Sequence, residues 1–270
     1  MCEHCGCAIT DGAGPEAGSA HPHGGHATES VSVLRDLLSE NDRLAAHNRE
    51  HFDAHGVLAV NLMSSPGAGK TSLLEATIEA LSGRARIAVI EGDLATENDA
   101  RRIRAKGVPA VQISTGSACH LDARMVHEAL HDLALEGLDL LFIENVGNLV
   151  CPASFDLGEH LAVTLLSVPE GDDKPQKYPV MFRAADLTLL TKCDFLPLLP
   201  EFEPRRAESS LRAVGSGAPL LRLSSRTGEG LGAWCEWLDA QLAHHRADNH
   251  RPEPGKDSLE RSAKLDRIAG

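Results

Sequence analysis

Three groups of residues in this 270-residue chain have the types and spacing to do chemistry. The first is Ser64-Ser65-Pro66-Gly67-Ala68-Gly69-Lys70-Thr71-Ser72, which follows GxxxxGK[ST] with Ser64 in place of the first glycine. Such a loop holds an anion with its backbone N–H groups and with the N-terminus of the helix behind it, both carrying partial positive charge. Gly67 and Gly69 let the backbone approach the anion. Lys70 supplies a full charge for β- and γ-phosphates, and the Thr71 hydroxyl is placed for Mg²⁺. The second group is Cys2, Cys5 and Cys7 in MCEHCGC. Three thiolates so close, with His4 or the terminal amine, can wrap one soft or borderline cation without a fold to hold them. A planar array of sulfur and nitrogen suits Ni²⁺ or Cu²⁺, and tetrahedral closure suits Zn²⁺. The segment HPHGGH adds His21, His23 and His26 as weaker imidazole ligands. The third group is Cys119-His120 with Cys151. One chain offers at most three donors there, and a two-fold dimer can complete the shell. Packed core cysteines are the rival reading.

These groups need elements to position them. Val57 to Met63 is an apolar, β-branched run that predicts a buried strand, and Leu73, Leu74, Ile78 and Leu81 recur at helical spacing. Strand, glycine loop and helix in that order are the context a phosphate loop requires. Further strands are predicted over 86–90, 109–113, 139–144, 161–168, 184–191 and 220–223. Helices are predicted over 96–106, 122–135, 205–214 and 231–244, the first with Thr96 and Asp99 at its start. Val31, Leu34, Leu37, Leu38 and Leu44 predict an amphipathic helix leading into this domain. Strands alternating with helices, most of them apolar on both faces, predict a doubly wound, mostly parallel α/β sheet of about seven strands. Ligands then sit beyond the carboxyl ends of the strands. Residues 1–30 read as a flexible Cys/His-rich extension, 31–246 as the nucleotide-binding domain and 247–270 as a flexible polar tail.

Loops at those strand ends refine the chemistry. Asp93 follows the second strand, where a carboxylate can reach Mg²⁺ or orient water, and Glu144 ends the strand expected beside the phosphate loop. Lys192 and Asp194, two apart at a strand end, suit guanine: a carboxylate accepts both ring N1–H and the exocyclic amine, and the lysine stem stacks on the ring. The usual NKxD begins here with Thr191, so adenine stays an alternative. Ser224-Ser225-Arg226-Thr227-Gly228-Glu229-Gly230 resembles the SAxTGEG loop that backs the guanine O6. Phosphoryl transfer needs mainly positioning and charge neutralisation, so Lys70, Asp93 and Glu144 are the catalytic candidates and water the acceptor. His127-Glu128-Ala129-Leu130-His131 matches HExxH, but it lacks a third ligand and is read as two histidines on an exposed helix face.

Composition narrows the classes. The net charge is −13 with no basic patch, which argues against a nucleic-acid partner. No apolar run approaches ~18 residues, so nothing is expected to span a membrane. With no signal-peptide pattern either, a cytoplasmic location is expected. Seven cysteines, an odd number, then favour metal or redox chemistry over a disulfide framework. Seven of the 14 histidines fall within the first 55 residues.

Taken together, CxxCGC, the His-rich linker, SSPGAGKT, EGD, the ACH and LVCP pair, KPxKYP and TKxD resemble the nickel-incorporation GTPases of hydrogenase maturation, the HypB family. The resemblance runs to about residue 245. It implies a P-loop NTPase of the SIMIBI class that hydrolyses GTP with Mg²⁺, dimerises with nucleotide and delivers Ni²⁺ to [NiFe]-hydrogenase. It also implies a tight nickel site at Cys2, Cys5 and Cys7, and a Ni²⁺ or Zn²⁺ site of Cys119, His120 and Cys151 across the dimer. Nickel storage on the His-rich segment is a further implication. The implied partners are a small zinc-containing nickel chaperone of the HypA type, a peptidyl-prolyl isomerase and the hydrogenase large subunit. A urease-type nickel GTPase, a nickel-storage protein and an ATP-dependent small-molecule kinase are the alternatives.

Overall fold

The computed structural model describes residues 26–93, 97–116 and 118–249, with side chains from residue 37 onward. Cys2, Cys5, Cys7, His21, His23, the His26 side chain and Thr96 lie outside the described residues. The chain divides into two compact units, Met1–Leu37 and Leu38–Gly270.

Helix α1 (His26–His55) precedes β1 (Leu58–Ser64), which leads through the glycine loop into α2 (Lys70–Ala80). Then come β2 (Ile87–Asp93), α3 (Asn98–Arg104), β3 (Ala110–Ser114), α4 (Ala123–Leu130) and β4 (Leu140–Glu144). After β5 (Leu161–Ser167), the KPQKYP segment leads into two short helices, α5 (Lys174–Lys177) and α6 (Pro179–Arg183). The chain continues through β6 (Leu187–Thr191), α7 (Pro204–Ala213), β7 (Leu220–Arg222) and α8 (Leu231–Asn249). The last helix therefore runs five residues past its expected end. The fourth helix stops five residues short of its own, at Leu130.

All seven strands are parallel, in the order β3-β2-β4-β1-β5-β6-β7. β1 and β4 are buried along their full length, as their mostly apolar sequences favour, with Asn61, Ser64 and Glu144 buried among them. On one face of the sheet, Leu58, Val60 and Leu62 pack with Leu73, Leu74 and Ile78 of α2 and Trp234 and Leu238 of α8. On the other face, Ala59, Ala88 and Ile143 pack with Phe52 of α1 and Val126 and Ala129 of α4. Winding reverses around β1, with β2 and β3 laid to one side and β5, β6 and β7 to the other. That reversal opens a crevice at the carboxyl ends of the strands.

The seam of α1 differs from the expected one. Leu37 is 57% exposed, whereas Asn41, Ala45, Asn48 and Phe52 are buried. Two asparagines occupy this seam because their amides are used. Asn41 Nδ2 donates to Asp156 O (2.8 Å), and its Oδ1 accepts from Ala123 N (2.9 Å). Asn48 Nδ2 donates to Ala123 O (2.8 Å) and Leu157 O (3.0 Å). Burying an amide is tolerated only when its donors and acceptors are met, so α1 is fixed to these loops by polar contacts as well as by Phe52.

Candidate functional site

A cavity of about 430 Å³ opens in the crevice, lined by the glycine loop, the ends of β2 and β4, and Lys192. Gly69 caps α2 in the left-handed region (φ 103°) with no side-chain capping bond. A side chain there would be strained, and the first N–H groups of α2 stay available to an anion. Ser64, which replaces the usual glycine, is fully buried, donates to Ser65 O (2.7 Å) and accepts from Lys70 Nζ (3.2 Å). The substitution adds a hydroxyl that aims the lysine. Thr191, in place of asparagine, donates to Ala68 O (2.8 Å), and Lys192 Nζ donates to Gly67 O (2.6 Å). These two contacts tie the phosphate loop to the strand end that carries Asp194.

Glu144 and Glu91 are neighbours across the β2–β4 register, so both carboxyls share a face of the sheet beneath this cavity. Thr71 Oγ1 donates to Glu144 Oε1 (3.0 Å), with Lys70 Nζ 3.9 Å from the same oxygen. Burial, and then the charge of Glu144, push Glu91 up to about 11. Burial also raises Glu144, against the pull of Lys70. Oε2 of each glutamate is buried and accepts no hydrogen bond among the described residues. With Glu91 protonated the two carboxyls share a hydrogen bond, and on losing that proton they would form, with the threonine hydroxyl, a hard oxygen donor set that suits Mg²⁺. Asp93, two residues beyond Glu91, lines the same cavity. Glu91 is not among the candidates the sequence motifs single out. Its signal was there: an acid two residues before Asp93 on an apolar strand shares that residue's face.

A second, smaller cavity of about 180 Å³ holds Ala68, Gly69, Ser72, Lys192, Asp194, Phe195, Ser225 and Arg226. It is a slot of the size and polarity for a base. Asp194 Oδ1 accepts from Ser224 Oγ (2.6 Å), and Oδ2 from Arg226 Nε (2.9 Å) and Nη2 (2.7 Å). The Ser224 bond and the Arg226 guanidinium hold this carboxyl below its usual range, so it stays an acceptor.

Cys119 and Cys151 meet with their sulfurs 2.9 Å apart, and Cys119 Sγ lies 3.7 Å from His120 Nδ1. All three donor atoms fall within 4.8 Å of one another in a single chain. Neighbours in sequence and a cysteine 31 residues on thus converge on one point. His120 stacks on Phe155 (centroids 3.9 Å apart), and burial lowers it, so it stays neutral. Cys193 and Cys235 are buried core thiols.

The cavity and the thiols share one loop. It leaves Glu144, passes Asn145 and Asn148, and ends at Cys151. Asn145 Oδ1 accepts from Leu121 N (3.2 Å) and Val146 N (2.9 Å), and Asn148 Nδ2 donates to Cys119 O (3.2 Å). A Cβ on Gly147 would lie 2.8 Å from Pro66 Cα, so the loop also packs directly on the phosphate loop. Neither asparagine was singled out in the sequence, where ENVGN carries no sign of its partners.

A sequence model described as "CobW/HypB/UreG, nucleotide-binding domain" matches residues 58–221. The hydrogenase maturation factor HypB of Azotobacter chroococcum is 54% identical over 224 residues, covering 82% of this chain and 72% of that protein. HypB of Escherichia coli is 50% identical over 226 residues, covering 84% and 77%. Among solved structures, HypB from Helicobacter pylori in complex with nickel superposes with a TM-score of 0.73 at 41% identity. That match covers 77% of this chain and 97% of the other.

Proposed function

The chain belongs to the HypB hydrogenase maturation factors of the CobW/HypB/UreG family, and from that premise we propose that it is a GTP-hydrolysing metallochaperone whose cargo is Ni²⁺ for [NiFe]-hydrogenase. The observation that carries this reading is the loop 144–151. One end supplies Glu144 to the phosphate cavity and the other supplies Cys151 to the thiol–imidazole group.

In this reading, the α2 N-terminus and Lys70 grip the β- and γ-phosphates, with Ser64 aiming the lysine. Asp194 recognises the guanine edge once Arg226 swings aside, and Ser225 backs the base. Thr71, Asp93 and Glu144, with Glu91 beneath, would hold Mg²⁺, which would supply charge neutralisation at the phosphates. Asp93 orients the attacking water. Cleavage of the terminal phosphate relaxes Lys70 and Glu144, and Asn145 and Asn148 pass the shift to Leu121 and Cys119. The metal donors thereby change their spacing. A two-fold dimer with nucleotide bound completes the metal shell with the second copy's donors. The acceptors we propose are a HypA-type chaperone and the hydrogenase large subunit, in the cytoplasm.

Reciprocity requires Ni²⁺ to alter GTP affinity by the factor that GTP alters Ni²⁺ affinity. Measuring GTP affinity with and without saturating Ni²⁺ tests the coupling, with Cys119→Ser as the control that abolishes it. Identical affinities in both conditions overturn the coupling. Turnover that survives Lys70→Ala overturns the hydrolytic site.

A further inference from the structure

The phosphate loop is held from two directions. From Pro66 onward it is held by the end of β6 and by the 144–151 loop. Thr191 Oγ1 donates to Ala68 O (2.8 Å), Lys192 Nζ donates to Gly67 O (2.6 Å), and Gly147 packs on Pro66. The first loop residue is held by a different segment. Ser65 Oγ donates to Oε1 of Glu170, in the turn 168–170 that follows β5. β5 runs beside β1, with Ser64 opposite Leu165, so this turn leaves the sheet next to the point where the loop begins.

Glu170 is itself fixed. Its Oε2 accepts from Ser167 N (2.9 Å) and Ser167 Oγ (2.7 Å), a capping box that closes the turn. Lys174 Nζ lies 3.8 Å from Oε1, and the Glu170 side chain is 14% exposed. The capping box needs only Oε2. The other oxygen faces Ser65, 105 residues away in sequence.

From that carboxyl the hydrogen bonds lead to the lysine. The single proton of the Ser65 hydroxyl goes to Glu170. Ser65 O accepts the single proton of the Ser64 hydroxyl (2.7 Å), so Ser64 Oγ turns only lone pairs toward Lys70 Nζ (3.2 Å). An ammonium has donors and no acceptor, so a Ser64 hydroxyl turned the other way would set a proton against it. The aim of Lys70 therefore depends on where Ser65 puts its carbonyl, and the Glu170 bond tethers Ser65.

We propose that Glu170 is a positioning residue for phosphoryl transfer, acting through Ser65 and Ser64 on the Lys70 ammonium. The inference rests on the hydrolytic reading given above. It separates two duties of the loop. Pro66, Gly67 and Ala68, held by other elements, keep the grip on the nucleotide. The Glu170 chain sets the aim of the lysine, which counts most when charge develops on the transferred phosphoryl group. Binding and turnover then respond differently to its loss.

The test is steady-state GTP hydrolysis by the full chain with Mg²⁺. It compares the wild type with Glu170→Ala, Ser65→Ala, the double variant of these two, Ser167→Ala and, as reference, Lys70→Ala. Glu170→Ala should lower kcat about tenfold, the order of one hydrogen bond to a charged group, and leave KM within about twofold. Ser65→Ala should do the same, and the double variant should lose no more than either single one, because all three break the same chain. Ser167→Ala removes a hydroxyl from the capping box and leaves the Ser65 bond intact, so it should lower the melting temperature without changing kcat. Losses that multiply in the double variant, an equal fall in kcat for Ser167→Ala, or an unchanged kcat in Glu170→Ala and Ser65→Ala each overturn the proposal. Turnover that Lys70→Ala abolishes but Glu170→Ala leaves intact overturns this inference alone. Turnover that Lys70→Ala leaves intact overturns the hydrolytic reading and this inference with it.

Discussion

Replacing Glu91 with glutamine should make the metal-free protein more stable, although it removes an acid from the phosphate cavity. Glu91 titrates at about 11 in the fold and near 4.5 as a free side chain. Between those values the folded state holds a proton that the unfolded chain has released. Stability therefore falls as pH rises through this window, by about 1.4 kcal/mol per unit. At pH 7 the accumulated cost is about 3 kcal/mol, from 2.5 units at 1.36 kcal/mol each. That figure depends on pH 7 and the unfolded value, so the folded pKa matters only in staying well above 7. Glutamine removes the cost, keeps the shape and can donate its amide to Glu144. For a domain of this size, 1 kcal/mol corresponds to about 2–4 °C, so a rise in Tm of about 6–12 °C is expected. Thermal unfolding of both proteins in chelator at pH 6, 7 and 8 provides the assay. The gap should widen with pH and narrow when Mg²⁺ is added. Parallel pH dependences for the two proteins would refute the reasoning about a buried carboxyl pair.

Gly147→Ala should push the 144–151 loop off Pro66, costing about 1–3 kcal/mol of stability by overpacking and weakening nucleotide binding, as read by unfolding and by titration. Asn145→Ala should leave the Leu121 and Val146 N–H groups without a partner, at about 1–3 kcal/mol for each, and should uncouple Ni²⁺ binding from nucleotide in the paired titrations. Asp194→Asn should lose about 1.5–3 kcal/mol of GTP binding, roughly tenfold or more in Kd, while ATP affinity stays where it was.

Much of the fold was legible because apolar runs and glycine loops alternate with helical periodicity along this chain. Every predicted strand exists, with ends shifted by at most three residues, since pairing rather than composition sets where a ladder stops. α1 was read from its leucines, yet Asn41, Ala45, Asn48 and Phe52 make the buried seam. A polar residue becomes a core residue when distant carbonyls meet its amide, and those carbonyls belong to residues 123, 156 and 157. The HExxH string reads as two histidines on an exposed helix face. His127 is nevertheless half-buried and held by Asn48, which no local pattern indicates.

Sequence by itself determined the chemistry on offer: a glycine loop suited to phosphates, a TKCD suited to a base, acids at strand ends, and thiols and imidazoles fit for a borderline cation. Each is a matter of residue type and short spacing, which a linear string records in full. Tertiary structure alone decided which of these act together. Glu91 faces Glu144 because β4 lies between β2 and β1. Cys119 reaches Cys151, 32 residues away, because Asn145 and Asn148 pin two loops together. Such pairings depend on strand order and on hydrogen bonds between distant segments, and neither leaves a periodic trace along the chain.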